Sequence, residues 1–90
     1  MANGSIIVMG SSGFLGSAIC VDLSRTWPVI GIDRRPPSRA LANAASGAQW
    51  HLIDIAERDA LEGLFQQLVR QRQRIDFVLH LAAFYHFGRY

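Results

Sequence analysis

Ninety residues, half of them apolar and 18% charged, set the scale of one small globular domain, with no room for a second. No apolar run approaches the ~20 residues that span a bilayer, and Ile6 to Met9 is too short for a signal-peptide core, so a cytoplasmic chain with no membrane partner is expected. The formal charge is only +2, all nine basic residues are arginines and Cys20 is the single cysteine, which excludes a Walker-type or Schiff-base lysine, an internal disulfide and a multi-cysteine metal site.

Along the chain, Ser5 to Met9 is a short apolar, β-branched run that reads as a buried strand. Gly10-Ser11-Ser12-Gly13 breaks it. From Phe14 to Arg25 the pattern turns helical, with Leu15, Ile19 and Leu23 predicted on one face. Cys20, within that helix, reads as core filler. Pro28 to Asp33 is a second buried strand, and Arg34 to Arg39, with Pro36 and Pro37, is a loop. Arg39 to Ser46 is alanine-rich and reads as a short helix. Gln49 to Ile53 forms a third strand. Glu57 to Gln71 is the clearest helix, because Leu61, Leu64, Phe65 and Leu68 stand at i, i+3, i+4 and i+7. Arg70, Arg72 and Arg74 then decorate its exposed C-terminal end, where positive charge suits the helix dipole, and no nucleic-acid partner is expected. Asp76 to Ala82 is a fourth strand. Strand–helix alternation of this kind predicts an α/β fold built on a parallel sheet with right-handed crossovers.

The segment Gly10-Ser11-Ser12-Gly13-Phe14-Leu15-Gly16 follows a strand and opens a helix, which is the context that gives a glycine loop meaning. Gly10 lets the chain turn sharply, Gly13 lets a pyrophosphate approach the backbone, and Gly16 lets the helix pack closely on the sheet. The N–H groups near Gly13, Phe14 and Leu15 are expected to face the phosphates. The pattern is G-x-x-G-x-x-G, since Ser12 stands where the G-x-G-x-x-G fingerprint has its second glycine. A strand-to-helix turn with glycines that merely relieve crowding is the competing reading. Asp33 ends the second strand, 23 residues after Gly10. A carboxylate there accepts from ribose hydroxyls and repels a 2′-phosphate, which favours NAD over NADP. The adjacent Arg34 and Arg35 argue the other way, because an arginine can pair with a 2′-phosphate.

Two further segments carry a resemblance. Asp54-Ile55 follows the third strand, and His80-Leu81-Ala82-Ala83 closes the fourth. With the glycine loop and Asp33 they stand in the order found in the extended short-chain dehydrogenase/reductases, also called the NAD-dependent epimerase/dehydratase family, which the whole chain resembles. The resemblance implies a Rossmann-like sheet of strand order 3-2-1-4, so that residues 1–90 would be a partial NAD(P)-binding domain ending after the fourth strand, without the substrate-binding part. It implies that Gly10, Gly13, Phe14, Leu15 and Gly16 contact the pyrophosphate, that Asp33 holds the adenosine ribose with Arg34 beside it, and that Asp54 and Ile55 meet the adenine. Leu81, Ala82 and Ala83 would line the cofactor where strands one and four diverge.

Each of these has a plainer competitor. Asp54 with Glu57 resembles a helix-capping box. His80, in an apolar strand, reads as a satisfied core histidine, and His51 and His86 have no partners that suggest metal binding or acid–base work. Tyr85 reads as a loop aromatic. The family's Tyr-x-x-x-Lys pair is absent, so no catalytic residue is assigned to these 90 residues. The chain is therefore expected to be the cofactor-binding part of an epimerase, dehydratase or reductase, with nucleotide sugars as the family's commonest substrates. A non-catalytic dinucleotide-binding module and an inert remnant are the alternatives. The fourth strand would leave an open apolar edge, expected to pair with a missing C-terminal part or with another chain.

Overall fold

A computed structural model describes residues 4–81 as four strands and three helices in strict alternation: β1 (Ser5–Met9), α1 (Phe14–Leu23), β2 (Val29–Asp33), α2 (Arg39–Ala44), β3 (Gln49–Leu52), α3 (Arg58–Arg70) and β4 (Ile75–His80). The sheet is wholly parallel, in the order β3-β2-β1-β4. Parallel neighbours require crossovers, and the three helices supply them.

Apart from Ser5 and Asp33 at their ends, β1 and β2 carry no polar side chain, because both of their faces are covered. On one face Ile6, Val8 and Val29 pack with Cys20 of α1 and with Leu41 and Ala45 at α2. On the other, Ile7, Met9, Ile30 and Ile32 pack against Leu64 and Leu68 of α3, with Leu61 and Phe65 at the margin. The predicted stripe of α3 is thus the stripe it buries. Burial pushes the Cys20 thiol up to about 11, so this residue fills space, as expected, rather than reacting.

Four local readings are corrected. The face that α1 turns to the sheet carries Gly16 and Cys20, with Leu23 packed at its margin as expected, rather than Leu15 and Ile19; Leu15 is exposed. This helix is apolar around most of its circumference, so periodicity does not select a face. Gly16 does, because its missing Cβ would collide with the Gly10 carbonyl oxygen. The capping box at α3 does not form: Glu57 holds the N-cap position without a side-chain hydrogen bond, and Asp54 stands before it. His80 is exposed rather than a core residue. Val78 and His80 lie beside Ile7 and Met9 of β1, but the apolar stripe of α3 is spent over β1 and β2. β4 also ends at His80, two residues earlier than predicted, while Ala82, Ala83, Tyr85 and His86 lie outside the described residues.

The ends of α3 and β4 are tied locally. Arg72 adopts a left-handed conformation, with φ 56°. Its N–H donates to Val69 O at 3.0 Å and that of Gln73 to Leu68 O at 2.9 Å, the paired bonds of a Schellman termination. Asp76, the extra residue where β4 shifts register against β1, takes the Gly4 N–H at 3.2 Å and Arg74 Nε at 2.8 Å. The Arg74 guanidinium holds the Asp76 carboxyl below the usual carboxylate range, but the pair is exposed and such pairs add little stability.

Candidate functional site

In a parallel sheet every strand delivers its C-terminal end to the same edge. Gly10 follows β1, Asp33 ends β2, Asp54 lies beyond β3, and Leu81 follows β4. The topology therefore brings four of the predicted segments together. Between β1 and β4 the strand order reverses, which opens a crevice at that edge.

The loop from Gly10 to Gly16 is anchored from below. Gly10 has φ 92°, a left-handed turn that favours glycine. The N–H of Gly10 donates to Ile32 O at 2.8 Å, that of Gly13 to Gly10 O at 3.2 Å, and the Ser17 hydroxyl to Ser11 O at 3.3 Å. Gly16 rests its backbone on Gly10. Gly13 is the N-cap of α1, with φ −75° and ψ 173°, an extended conformation open to any residue. Backbone conformation thus demands glycine at 10, but not at 13.

The N-terminus of α1 has the electrostatic character of an anion site. Glycine at the cap offers no side-chain acceptor, and no acidic residue stands in the first turn. The first N–H groups of a helix have no carbonyl partner within it, and the dipole concentrates positive charge there. Phe14 is 92% exposed at this end, so the approach from solvent is open.

Asp33 faces the same loop. Its Oδ2 accepts the Ser12 N–H at 3.0 Å and its Oδ1 accepts the Arg35 N–H at 3.1 Å. The Ser12 hydroxyl donates in turn to Arg35 O at 2.9 Å. A carboxylate offers about four lone-pair positions; these two bonds occupy one on each oxygen, leaving each oxygen able to accept once more. Arg34 and Arg35 are exposed. Ser12, singled out in the sequence only as a missing glycine, is the residue that joins the loop to Asp33. The available signal was a hydroxyl at the position nearest the end of the neighbouring strand.

Asp54 is half-buried and closes its own turn, with Oδ1 accepting the Ala56 N–H at 3.0 Å and its carbonyl that of Glu57 at 2.8 Å. The next strand end is adjacent, since the Ile53 N–H donates to Asp33 O at 3.0 Å. Ile55 packs against the cluster under α3, and Leu81 against the cluster under α1. Gly10, Gly13, Phe14, Leu15, Gly16, Asp33 and Arg34 are thus contiguous along the ends of β1 and β2, with Asp54 beside them. Ile55 and Leu81 also serve the core. His51 places Nε2 in a buried position with no hydrogen-bond partner. Among the described residues no three His, Cys, Asp or Glu side chains converge as metal ligands, and no helix is long and apolar enough to cross a membrane.

The chain has relatives among known proteins. The family model described as NAD dependent epimerase/dehydratase family matches residues 6–90. A ketoreductase, sphI, from Aspergillus fumigatus is 36% identical over 84 residues, covering 91% of this chain and 24% of its own length. Among solved structures, a UDP-glucuronic acid 4-epimerase from Bacillus cereus in complex with NAD is 31% identical, with TM-score 0.58, over 86% of this chain and 26% of that one. An A-type ketoreductase from a modular polyketide synthase superposes with TM-score 0.70 at 24% identity, over 86% of this chain and 18% of that one, a likeness of fold. The chain spans about a quarter of the length of the curated relative it matches.

Proposed function

The chain belongs to the NAD dependent epimerase/dehydratase family, and from that premise we propose that its glycine loop and Asp33 hold a nicotinamide adenine dinucleotide as the cofactor-binding part of an epimerase, dehydratase or ketoreductase. One observation carries the reading: the N-terminus of α1, whose cap residue Gly13 offers no side-chain acceptor, and the Asp33 carboxylate are joined through Ser12 at a single edge of the sheet. The separation of roles follows from charge. The first turn of α1, Phe14 to Gly16, turns its backbone towards the paired phosphates, and the cap at Gly13, without a side chain, lets those phosphates close on the main chain. Asp33 takes the 2′- and 3′-hydroxyls of the adenosine ribose on its two remaining lone pairs. Asp54 and Ile55 meet the adenine, and Leu81 borders the cofactor at the β1–β4 crevice.

NAD is the favoured form, because a fixed carboxylate at Asp33 opposes a 2′-phosphate; the exposed Arg34 and Arg35 are what favours NADP instead. When bound, the nicotinamide supplies hydride transfer. The residues of this chain bind and orient it; none of the 90 residues is a lysine, so the Tyr-x-x-x-Lys acid–base pair expected of the family is not among them. The ketoreductase and epimerase relatives support a carbonyl or secondary-alcohol substrate, with a nucleotide sugar as one candidate. A non-catalytic dinucleotide-binding module is the second reading, favoured by the same lack of lysine. The open side of β4, with Phe77 and Val78 exposed on opposite faces, supports association with further polypeptide. The single buried thiol of Cys20 suits the reducing cytoplasm.

Calorimetric titration tests the cofactor assignment. NAD and ADP-ribose should both bind, and Asp33→Ala should weaken both by about 10- to 100-fold, the worth of hydrogen bonds to a charged acceptor. Unchanged affinity in Asp33→Ala would refute the ribose role.

A further inference from the structure

The Ser12 hydroxyl does something that glycine at the same position in the G-x-G-x-x-G fingerprint cannot. Arg35 is held at both ends of its backbone: its N–H by Asp33 Oδ1 at 3.1 Å and its carbonyl by Ser12 Oγ at 2.9 Å. The Ser12 N–H holds the other carboxylate oxygen at 3.0 Å. Ser12, Asp33 and Arg35 thus form a closed ring of three hydrogen bonds in which the carboxylate is gripped at both oxygens and cannot rotate without breaking one of them. From this geometry we infer that Ser12 is a positioning residue that sets the preference of the site for an unphosphorylated adenosine ribose, an inference that rests on the dinucleotide reading above.

The physical reason lies in what the ring holds apart. The segment after Asp33 carries two exposed arginines followed by Pro36 and Pro37. Fastened at Arg35 O, it keeps the Asp33 carboxylate fixed at the strand end, where a 2′-phosphate meets a negative charge. Released, the segment can move, the carboxylate can turn aside, and Arg34 and Arg35 become free to pair with that phosphate. The serine at position 12 therefore acts on selectivity through Asp33 and Arg35, without itself touching the ribose.

Binding of NAD and of NADP is measured by calorimetry on the parent chain and on Ser12→Ala, Ser12→Gly and Ser12→Thr, with thermal midpoints recorded alongside. Removal of the hydroxyl in Ser12→Ala or Ser12→Gly should weaken NAD by about three- to tenfold, the range of one neutral hydrogen bond, while NADP binding is unchanged or improved. The NAD-to-NADP preference should fall accordingly, and Ser12→Thr, which keeps a hydroxyl, should retain it. Equal weakening of both dinucleotides, or no change in either, in a folded variant would overturn the positioning role while leaving the cofactor reading intact. If the parent binds neither dinucleotide, both fall together.

Discussion

Gly16 and Gly13 share a motif but answer to different constraints. At Gly16 the constraint is internal, since an added Cβ meets the Gly10 carbonyl oxygen and comes within 3.0 Å of Ser11 Cα. Both are backbone atoms that cannot turn aside, so Gly16→Ala should destabilise the chain by about 1–3 kcal/mol, the usual cost of overpacking. Urea denaturation would measure this, and an unchanged midpoint would show that the loop yields freely. At Gly13 the backbone conformation imposes no such demand; under the proposed function its missing side chain admits the phosphates. The sequence distinguished Gly10, Gly13 and Gly16 by motif position, and the strand-to-helix context was enough for that. The ring of Ser12, Asp33 and Arg35 was not legible, because it joins residues 21 and 23 positions apart through an approach that only the sheet creates.

Among the elements, legibility followed amphipathicity. α3 buries the stripe that its spacing predicted, because its other face is polar and leaves one solution. α1 is apolar on several faces, and its orientation is decided by the contact of Gly16 with Gly10 rather than by hydrophobic period. Likewise the Asp54–Glu57 spacing suggested a capping box, yet Asp54 spends its carboxylate on the turn at Ala56 and α3 starts at Arg58. The end of α3 carries a cost that sequence did not reveal: Arg72 sits at φ 56°, a conformation that disfavours a side chain by about 1–2 kcal/mol. Glycine avoids that cost but loses more chain entropy on folding, so Arg72→Gly should stabilise the chain by up to about 1 kcal/mol. A lower thermal midpoint in Arg72→Gly would mean that the arginine makes a compensating contact.

At the scale of the molecule, strand order 3-2-1-4 followed from alternation together with the family resemblance, and the structure has that order. β1 is flanked on both sides, whereas among the described residues β4 pairs with β1 alone. Phe77 and Val78 are 56% and 48% exposed, and His80 is open as well. A strand edge with apolar residues exposed on both faces is a template for pairing. The 90-residue chain should therefore associate as its concentration rises, and Val78→Lys should shift it towards monomer in sedimentation velocity. A parent chain that stays monomeric at every concentration and melts cooperatively would contradict this.

Amide chemical-shift mapping on the uniformly 15N-labelled chain, titrated with NAD, tests the central claim most directly. The largest shifts should fall on Gly10 to Gly16, on Asp33 to Arg35 and on Asp54, tracing the ends of β1, β2 and β3. Shifts centred on the outer surface of α3, or none at saturating NAD, would contradict the account.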